Sequence, residues 1–336
     1  MTINMRKIGV GVIGLGDFGE RHVQAIKSIP YAELVAVCSR SERRAKEIAQ
    51  GYGVKRWYTD RRKIVEDKDV DVVTIATADD DHVEPTILAA EAGKHILLEK
   101  PIATTLEDAD KIISTTKRTG VIFMVGHILR FDRRYRVVRE MRLRGELGEI
   151  ISVYARRLGS SAAADRFLNR VSPIVQHGVH DIDIIRWILG GEVKTVYAKA
   201  VKFREYRYPD AYWTIMEFED KRIGVVESGF VLPSTYPHFI DSFFELVSEN
   251  AAIHIYTPGE LFTVYHNKYL SKPDVTYWPQ FNLHAEGALR DEIEYFLQCV
   301  HSEIQPNLIV PEDARRALEI ALAGEKSALS GSSVTL

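Results

Sequence analysis

The stretch VIGLGDFGERH, Val12 to His22, decides the fold of the first part of the chain, because it carries the pattern G-x-G-x-x-G at Gly14, Gly16 and Gly19. An apolar strand-like run precedes the pattern and a helix-like run follows it, which is the context that makes it specific for dinucleotide binding. The first glycine permits a tight turn, the second lets backbone approach a pyrophosphate, and the third lets the helix pack closely on the strand. The helix N-terminus offers free N–H groups to phosphate. We therefore expect a cofactor loop formed by Gly14, Gly16, Asp17, Phe18 and Gly19.

The end of the second strand predicts which dinucleotide binds. NAD sites usually carry an acidic residue about 20 residues after the glycines, to hold the ribose 2′-hydroxyl. The segment CSRSERR, Cys38 to Arg44, has no acid at the strand tip. Hydroxyl groups and an arginine fork suit a 2′-phosphate, so we predict NADP rather than NAD, bound by Ser39 and Arg40. Alternatively, Ser41 only caps the next helix and Arg40 is a solvated surface charge; capping by Ser41 and phosphate binding by Arg40 are compatible.

Composition and charge exclude several classes of protein. A hydrophobic content of 46% is too high for a disordered chain. The net charge is −3, with acidic and basic residues mixed, so neither nucleic acid nor an anionic membrane is expected as a partner. No apolar run approaches the ~18 residues of a membrane span. The N-terminal run is interrupted by glycines and lacks an A-x-A site, so we predict a first strand rather than a signal peptide. With Cys38 and Cys299 in separate apolar runs, we predict a cytoplasmic protein with free thiols.

The order of strand-like and helix-like segments predicts two domains. Up to Val125, short β-branched runs alternate with helical patterns, which implies a doubly wound parallel sheet. After a helix at Asp132–Arg144, strand-like runs follow one another, the last of them at Glu260–Tyr265, which is typical of an antiparallel sheet. Two helices, His284–His301 and Pro311–Lys326, close the chain.

Three motifs give the chain a resemblance to a known family. Glu99-Lys100-Pro101 follows the strand His95–Leu98, and HGVHDID, His177 to Asp183, lies in the second half. Together with the glycine loop they resemble the Gfo/Idh/MocA oxidoreductases over nearly the whole chain. The resemblance implies an α/β Rossmann domain, residues 1–126, and an α+β domain, residues 127–336, with a large open-faced, mainly antiparallel sheet. It implies hydride transfer between NAD(P) and a CH–OH carbon of a sugar, cyclitol or related polyol, by a homodimer or homotetramer formed through that sheet.

The same resemblance implies roles for residues of the first half. Lys100 would lie between the nicotinamide and the substrate, and Arg130 would shape the floor of the substrate pocket. Members commonly carry a Thr-Pro-Asn…His pattern along the nicotinamide; here Ala78-Asp79 departs from its Pro-Asn. The residues implied on this side of the cofactor are Ala76, Thr77, His82, Glu99 and Lys100.

In the second half the family helix usually reads Asp-x-Gly-x-His-x-x-Asp. Here His180 and Asp183 match, and Gln176 replaces the first Asp. Gln176 and His180 are four residues apart, so they share one helix face. Oxidation of an alcohol requires a base whose pKa is near the working pH, which suits histidine. Lys100 would stabilise the developing alkoxide. We predict Lys100, His180 and Gln176 as catalytic residues, and Lys100, Arg130, Gln176, His177 and His180 as substrate-binding residues.

Other roles and functions stay open at this point. His177 suits a pocket or a structural role equally, and Asp183 suits a buried hydrogen bond that anchors the helix. A metal is not expected, because His177 and His180 lack a third ligand on their face. Besides a dehydrogenase, the same fold is compatible with a hydrolase or lyase that retains NAD, or with a non-catalytic nucleotide-binding regulator.

Overall fold

The computed structural model of the protein describes residues 7–257, 264–266, 269–271, 275–281 and 284–336. The chain divides into two compact units, Met1–Phe131 with Val275–Arg315 and Asp132–Asp274 with Arg316–Leu336. The division into domains at residue 126 stays a prediction. Of the strand predicted at Glu260–Tyr265, residues 260–263 lie outside the described residues, and Val264 begins a short strand.

The helices and strands have the following bounds. In chain order the α-helices are α1 (Asp17–Lys27), α2 (Glu42–Tyr52), α3 (Arg61–Val65), α4 (Val83–Glu91), α5 (Leu106–Thr119), α6 (Arg133–Leu143), α7 (Ala164–Phe167), α8 (Val179–Leu189), α9 (Ala288–His301) and α10 (Pro311–Ser330). A π-helical turn, Ile174–Gly178, leads into α8. The β-strands are β1 (Ile8–Ile13), β2 (Ala32–Cys38), β3 (Arg56–Tyr58), β4 (Val72–Ile75), β5 (His95–Glu99), β6 (Phe123–Gly126), β7 (Ile150–Ser160), β8 (Val193–Val201), β9 (Ala211–Phe218), β10 (Ile223–Leu232), β11 (Ile240–Ser248), β12 (Ala252–Thr257), β13 (Val264–His266), β14 (Tyr269–Ser271), β15 (Gln280–Phe281), β16 (His284–Ala285) and β17 (Val334–Thr335).

The described residues of the first unit form a six-stranded parallel sheet in the order β3-β2-β1-β4-β5-β6. Every residue of β1, β4 and β6 is buried, as expected for strands of a parallel sheet that is covered on both faces. The predicted doubly wound parallel sheet is confirmed. Because β1, β4 and β5 are neighbours that run in the same direction, their carboxyl ends lie along one edge of the sheet, where open α/β sheets bind ligands.

Some details of this unit differ from the predicted segments. The strand β3 has three half-buried residues at the sheet edge, and α3 has five residues. Neither was predicted, because an apolar repeat cannot emerge over so few positions. Helix α9 begins at Ala288 and not at the predicted His284. The reason is that Gly287 adopts a φ of +84°, and residues 284–285 form β16, which pairs with β15 in antiparallel orientation.

The described residues of the second unit form a seven-stranded sheet in the order β12-β11-β7-β10-β9-β8-β17. In this sheet β7 and β10 pair in parallel, whereas every other neighbouring pair is antiparallel. The predicted mainly antiparallel sheet is confirmed. The π-helical turn and α8 pack against one face of it, and a Cβ added at Gly178 would lie 3.3 Å from Ser228 Oγ of β10. The helix therefore approaches this strand closely where residue 178 has no side chain.

The opposite face of this sheet carries apolar side chains. Ile215 is the cross-strand neighbour of both Tyr197 and Val225, and Val225 is the neighbour of Tyr154. Tyr197 and Ile215 have exposed fractions of 36% and 43%. The four residues form an apolar stripe across β8, β9, β10 and β7 that solvent reaches.

None of the helices in the described part of the chain combines the length and apolar content that a membrane crossing requires. The cytoplasmic location stays a prediction.

Helix α10 is tied to the second sheet by a buried serine, which makes a stability test possible. The backbone N–H of Ala198 donates to Ser327 Oγ at 2.9 Å, and this hydroxyl donates to Ser332 O at 2.7 Å. Replacing the fully buried Ser327 by Ala leaves a buried backbone N–H unsatisfied, so we expect a loss of about 1–3 kcal/mol in the free energy of unfolding. Denaturant titration measures this value. Ser330→Ala, the same change at an exposed position of the same helix, is the control, and equal losses in both variants would contradict the assignment.

Candidate functional site

The glycine loop joins β1 to α1 and lies against neighbouring strand ends. Gly14 has a φ of +93°, and a Cβ there would lie 2.4 Å from Ala76 O at the end of β4. A Cβ at Gly19 would lie 1.9 Å from Gly14 O, so α1 can approach β1 this closely only when residue 19 has no side chain. Gly16 and Asp17 are exposed, which leaves the N-terminus of α1 open to a phosphate group. The predicted loop residues thus form a backbone cradle of the kind that a dinucleotide requires.

Phe18 in the first turn of α1 is held by a residue from the far end of the chain. Its ring lies edge-on to that of Trp278, with centroids 5.7 Å apart. The guanidinium of Arg21, one turn later, lies 4.4 Å from the centre of the Trp278 ring. The segment that precedes α9 therefore supports the phosphate loop, and the sequence contains no local pattern that predicts this contact.

At the end of β2, polar side chains are already engaged within the protein. The backbone N–H of Ser41 donates to Ser39 Oγ at 3.2 Å, and Ser41 caps α2 through the N–H of Arg44. Arg44 donates to Leu15 O of the glycine loop at 2.9 Å. Arg40, in contrast, is exposed to solvent.

Arg44 is also neutralised by two carboxylates. It pairs with Glu20 at 2.5 Å and with Glu47 at 2.8 Å. The arginine that contacts the loop therefore stands between two negative charges, and both of them oppose the approach of a further phosphate.

The segment after β4 brings two predicted cofactor residues to the same sheet edge. Thr77 Oγ1 donates to Asp81 O at 2.6 Å, which closes the turn that leads to His82. His82 is 1% exposed, and its Nδ1 lies 2.7 Å from Pro101 O. Because a carbonyl oxygen only accepts, Nδ1 carries a proton.

The charge state of His82 follows from its burial. Burial lowers the pKa of His82 below its usual value, although the Asp79 carboxylate acts in the opposite direction. The ring is therefore neutral at pH 7, and its Nε2 is a hydrogen-bond acceptor. No donor among the described residues reaches that atom. A buried acceptor at this edge fits an N–H group of a bound ligand.

The Glu99-Lys100-Pro101 motif follows β5 on the same edge. Lys100 is half-buried, and its peptide bond to Pro101 is cis. Glu99 is buried and its Oε1 lies 3.0 Å from His22 Nε2 on α1. His22 belongs to the stretch that carries the glycine pattern, but its role was not predicted. Its position in the sequence does not reveal that this face of α1 meets the end of β5.

Arg130, predicted to shape the pocket floor, is 1% exposed. Its Nη1 donates to Leu308 O at 2.7 Å and to Asp313 Oδ2 at 3.0 Å. These contacts connect the turn after β6 with the start of α10. A role in substrate binding stays a prediction.

In the second unit, Gln176 and His180 differ from the residues around them. Both are half-buried, whereas His177 and the two residues that follow it are buried. Gln176 lies in the π-helical turn and His180 in the first turn of α8, and the shared partial exposure agrees with the predicted common face. The convergence of His180 with Lys100 stays a prediction.

The neighbours of His180 have structural contacts. The ring of His177 packs on Phe230 with centroids 4.3 Å apart and is 2% exposed. Asp181 forms a two-bond ion pair with Arg157 of β7, at 2.9 and 3.0 Å, and both side chains are buried. This pair was not predicted. It connects the residue after His180 to the sheet and engages the Asp181 carboxylate.

Comparisons with known proteins identify relatives over nearly the full length. Residues 8–127 match the family described as oxidoreductase family, NAD-binding Rossmann fold, and residues 135–254 match the GFO/IDH/MocA C-terminal domain. The scyllo-inositol 2-dehydrogenase (NAD(+)) of Bacillus subtilis (strain 168) is 29% identical, with 98% of this chain and 96% of that protein covered. The inositol 2-dehydrogenase 2 of Saccharopolyspora erythraea is 30% identical, with 79% and 76% covered. The crystal structure of scyllo-inositol dehydrogenase from Lactobacillus casei with bound NAD(H) and scyllo-inositol has a TM-score of 0.82 at 23% identity, with 98% of this chain and 99% of that chain covered.

The prediction of NADP is wrong. The Bacillus subtilis relative is named as an NAD(+) enzyme, and the Lactobacillus casei structure contains NAD(H). The physical reason lies at the end of β2. The absence of an acid there suggested a phosphate site, but folding brings Glu20 and Glu47 to Arg44 and leaves Arg40 exposed. Glu20, 24 residues before Arg44, and Glu47, one helical turn after it, thus offset the positive charge of Arg44 next to the predicted phosphate site.

The contacts of Arg44 generate a binding test. We expect Arg44→Ala to weaken NAD binding by about tenfold, because the loop loses a charge-assisted hydrogen bond to Leu15 O. Arg40→Ala is the matched control at an exposed position and leaves the Kd unchanged. Titration of NAD against each variant by fluorescence measures the Kd. A larger loss in Arg40→Ala than in Arg44→Ala contradicts this account of the strand end.

Proposed function

Because the chain belongs to the Gfo/Idh/MocA oxidoreductase family, we propose that it is an NAD-dependent dehydrogenase that acts on a CH–OH carbon of inositol or a related polyol. The relatives named above are dehydrogenases of scyllo-inositol or of inositol. The proposal assigns Lys100 and His180 to proton transfer and alkoxide stabilisation, and Gln176 to substrate binding.

One observation carries the proposal. The glycine loop, the Ala76-Thr77 segment and Lys100 follow β1, β4 and β5, which are adjacent parallel strands of one sheet. The loop glycines suit the pyrophosphate, whereas the buried acceptor on His82 suits an amide N–H, such as that of a nicotinamide carboxamide. Lys100 follows β5 at the same edge, which supports the assignment of its ammonium group to the reacting end of the cofactor.

The chemistry needs two protein groups in addition to the cofactor. When bound, NAD accepts the hydride from the alcohol carbon. Lys100 stabilises the negative charge that develops on the alcohol oxygen as its proton leaves. His180 accepts that proton, because a neutral imidazole is a side chain that can take up a proton at pH values near 7. Gln176 donates to or accepts from a ring hydroxyl without carrying charge, which suits an uncharged polyol.

A steady-state assay tests the proposal. The purified protein with NAD and a panel of inositol isomers and sugars is expected to form NADH, followed by its absorbance. Lys100→Met and His180→Ala should lower kcat by ~10²-fold or more, the scale of a lost acid–base group. Binding of NAD should stay near the wild-type Kd in both variants, because neither change touches the glycine loop.

The control for these variants is Lys111→Met on the exposed face of α5, which should keep the wild-type kcat. Wild-type turnover in either Lys100→Met or His180→Ala would sink the assignment of that residue. Stoichiometric NAD retained through purification without net NADH formation would instead favour a hydrolase or lyase. Tight NAD binding without turnover of any substrate would favour a regulator.

We further infer that a second copy of the chain covers the apolar stripe on the second sheet. Tyr197, Ile215, Val225 and Tyr154 are consecutive cross-strand neighbours, and burial of such a stripe between identical sheets removes it from water. Polar pairs adjoin the stripe, since Tyr154 bonds Glu227 and Arg156 pairs with Asp241 at 2.5 Å. The arrangement suits a homodimer, with a homotetramer as a further assembly.

Mass measurement by light scattering tests this assembly. We expect Ile215→Asp to shift the protein toward the monomer, because two-fold pairing would bury an uncompensated carboxylate. Leu329→Asp, at a residue of α10 that is 87% exposed, is the control and should leave the mass unchanged. A monomeric wild-type protein, or an Ile215→Asp variant that keeps the wild-type mass, would contradict the inferred interface.

A further inference from the structure

Three buried ionisable side chains lie together behind the Glu99-Lys100-Pro101 motif in the first unit. His22 comes from α1, Glu99 from the end of β5, and Glu292 from α9, which packs against both elements. His22 and Glu292 are fully buried and Glu99 is 7% exposed. No motif in the sequence connects the three residues, and the proposed chemistry does not use Glu292.

The space for this cluster is created by a glycine. Gly126 of β6 is the cross-strand partner of Glu99, so a side chain at residue 126 would project on the same face of the sheet as Glu99. A Cβ at Gly126 would lie 2.9 Å from Glu99 Oε1 and 3.5 Å from Glu292 Oε2. The two carboxyl groups therefore border the same small volume, beside the peptide that leads to Lys100.

Two carboxylates in a buried volume cannot both stay ionised at low cost. Burial raises the pKa of Glu292 well above its usual value, and repulsion from the Glu99 carboxylate acts in the same direction. Glu99 has a hydrogen-bond partner in His22, at 3.0 Å. Neither oxygen of Glu292 has a hydrogen-bond partner among the described residues. A neutral Glu292 carries an O–H donor, and the Glu99 carboxylate, which borders the same volume, is able to accept from it.

We propose that Glu292 is a positioning residue whose protonated carboxyl group donates a hydrogen bond to Glu99 and, together with His22, holds the end of β5 from which Lys100 extends. The bond joins a neutral acid to a carboxylate, which is a short and strong type of hydrogen bond. The cluster then contains one buried proton between two carboxyl groups, and α1 and α9 both contribute to it. The proposal rests on the role assigned above to Lys100.

The chemical consequence concerns geometry. Lys100 is the residue after Glu99, so a displacement of the Glu99 carboxyl group changes the direction in which the lysine leaves the strand. A displacement of about 1 Å at a catalytic group costs up to ~10²-fold in rate. Glu292 does not touch substrate or cofactor in this account, and it acts through Glu99.

Two measurements test the buried proton without any enzyme assay. First, an infrared difference spectrum between wild type and Glu292→Gln at neutral pH should contain the carbonyl stretch of a protonated carboxylic acid in the wild type. Second, a folded-state pKa above the unfolded value of 4.5 means that the stabilisation due to Glu292 is fully present below that value. It is lost as the pH rises toward the folded-state pKa, so the wild type should lose stability relative to Glu292→Gln over this range.

The catalytic readout compares three variants. Glu292→Gln keeps a donor toward Glu99 and should retain most of kcat, whereas Glu292→Leu lacks the donor and should lower kcat roughly tenfold to hundredfold. Glu294→Gln, the same change two residues later on α9 where the carboxylate pairs with Arg290, is the control and should keep wild-type kcat. NAD binding should be similar in all three variants.

The outcomes separate this inference from the proposed function. Absence of the carboxylic acid band, or a pH dependence of stability that is identical in wild type and Glu292→Gln, overturns the buried proton. Equal kcat in Glu292→Gln and Glu292→Leu overturns the positioning role. A protein that turns over no polyol but keeps the band and the pH dependence refutes the proposed function while the protonated pair stands.

Discussion

The close contact between Gly19 and the carbonyl oxygen of Gly14 is the constraint on which the rest of the first unit depends. A Cβ at residue 19 would lie 1.9 Å from that oxygen, so α1 reaches its position against β1 only with glycine there. This position directs the N-terminus of α1 to the sheet edge where the ends of β4 and β5 also lie. It also turns His22 toward Glu99, at 3.0 Å. One backbone contact thereby sets both the proposed phosphate site and the support behind Lys100.

The two units use a similar physical device next to the residue proposed for catalysis. Lys100 follows Glu99, which is bound to His22, and His180 precedes Asp181, which is bound to Arg157. In each case a buried polar partner stands next in sequence to a side chain that solvent reaches in part. Burial of charged groups is costly, and the hydrogen bonds that compensate them require a narrow geometry. Such pairs therefore specify the direction of the adjacent residue more than they stabilise the fold.

The two faces of the second sheet have different roles, because the side chains of each strand alternate between them. Residues on one face contact the π-helical turn and α10, as Gly178 near Ser228 and Ser327 bonded to Ala198 illustrate. Residues on the other face form the apolar stripe through Ile215. Polar neighbours such as Glu227 limit the length of that stripe. The alternation of side chains between the two faces can be predicted from the sequence, because successive side chains of a strand point to opposite faces. The second copy proposed to cover the stripe cannot be predicted from the sequence alone, since the stripe is assembled from four strands.

The features of this protein that the sequence alone determines depend on residues that are close to one another in the chain. The glycine pattern, the order of strands and helices and the Glu99-Lys100-Pro101 motif are short-range features, and from them the parallel sheet, the antiparallel sheet and the family were predicted. The features that only the tertiary structure decided are pairs of ionisable side chains distant in the chain: Arg44 with Glu20, Arg157 with Asp181, and Glu99 with Glu292. The electrostatic character of a site is a sum over groups that folding brings together. For this reason the sequence of the strand end predicted NADP, whereas the Bacillus subtilis relative is named as an NAD(+) enzyme.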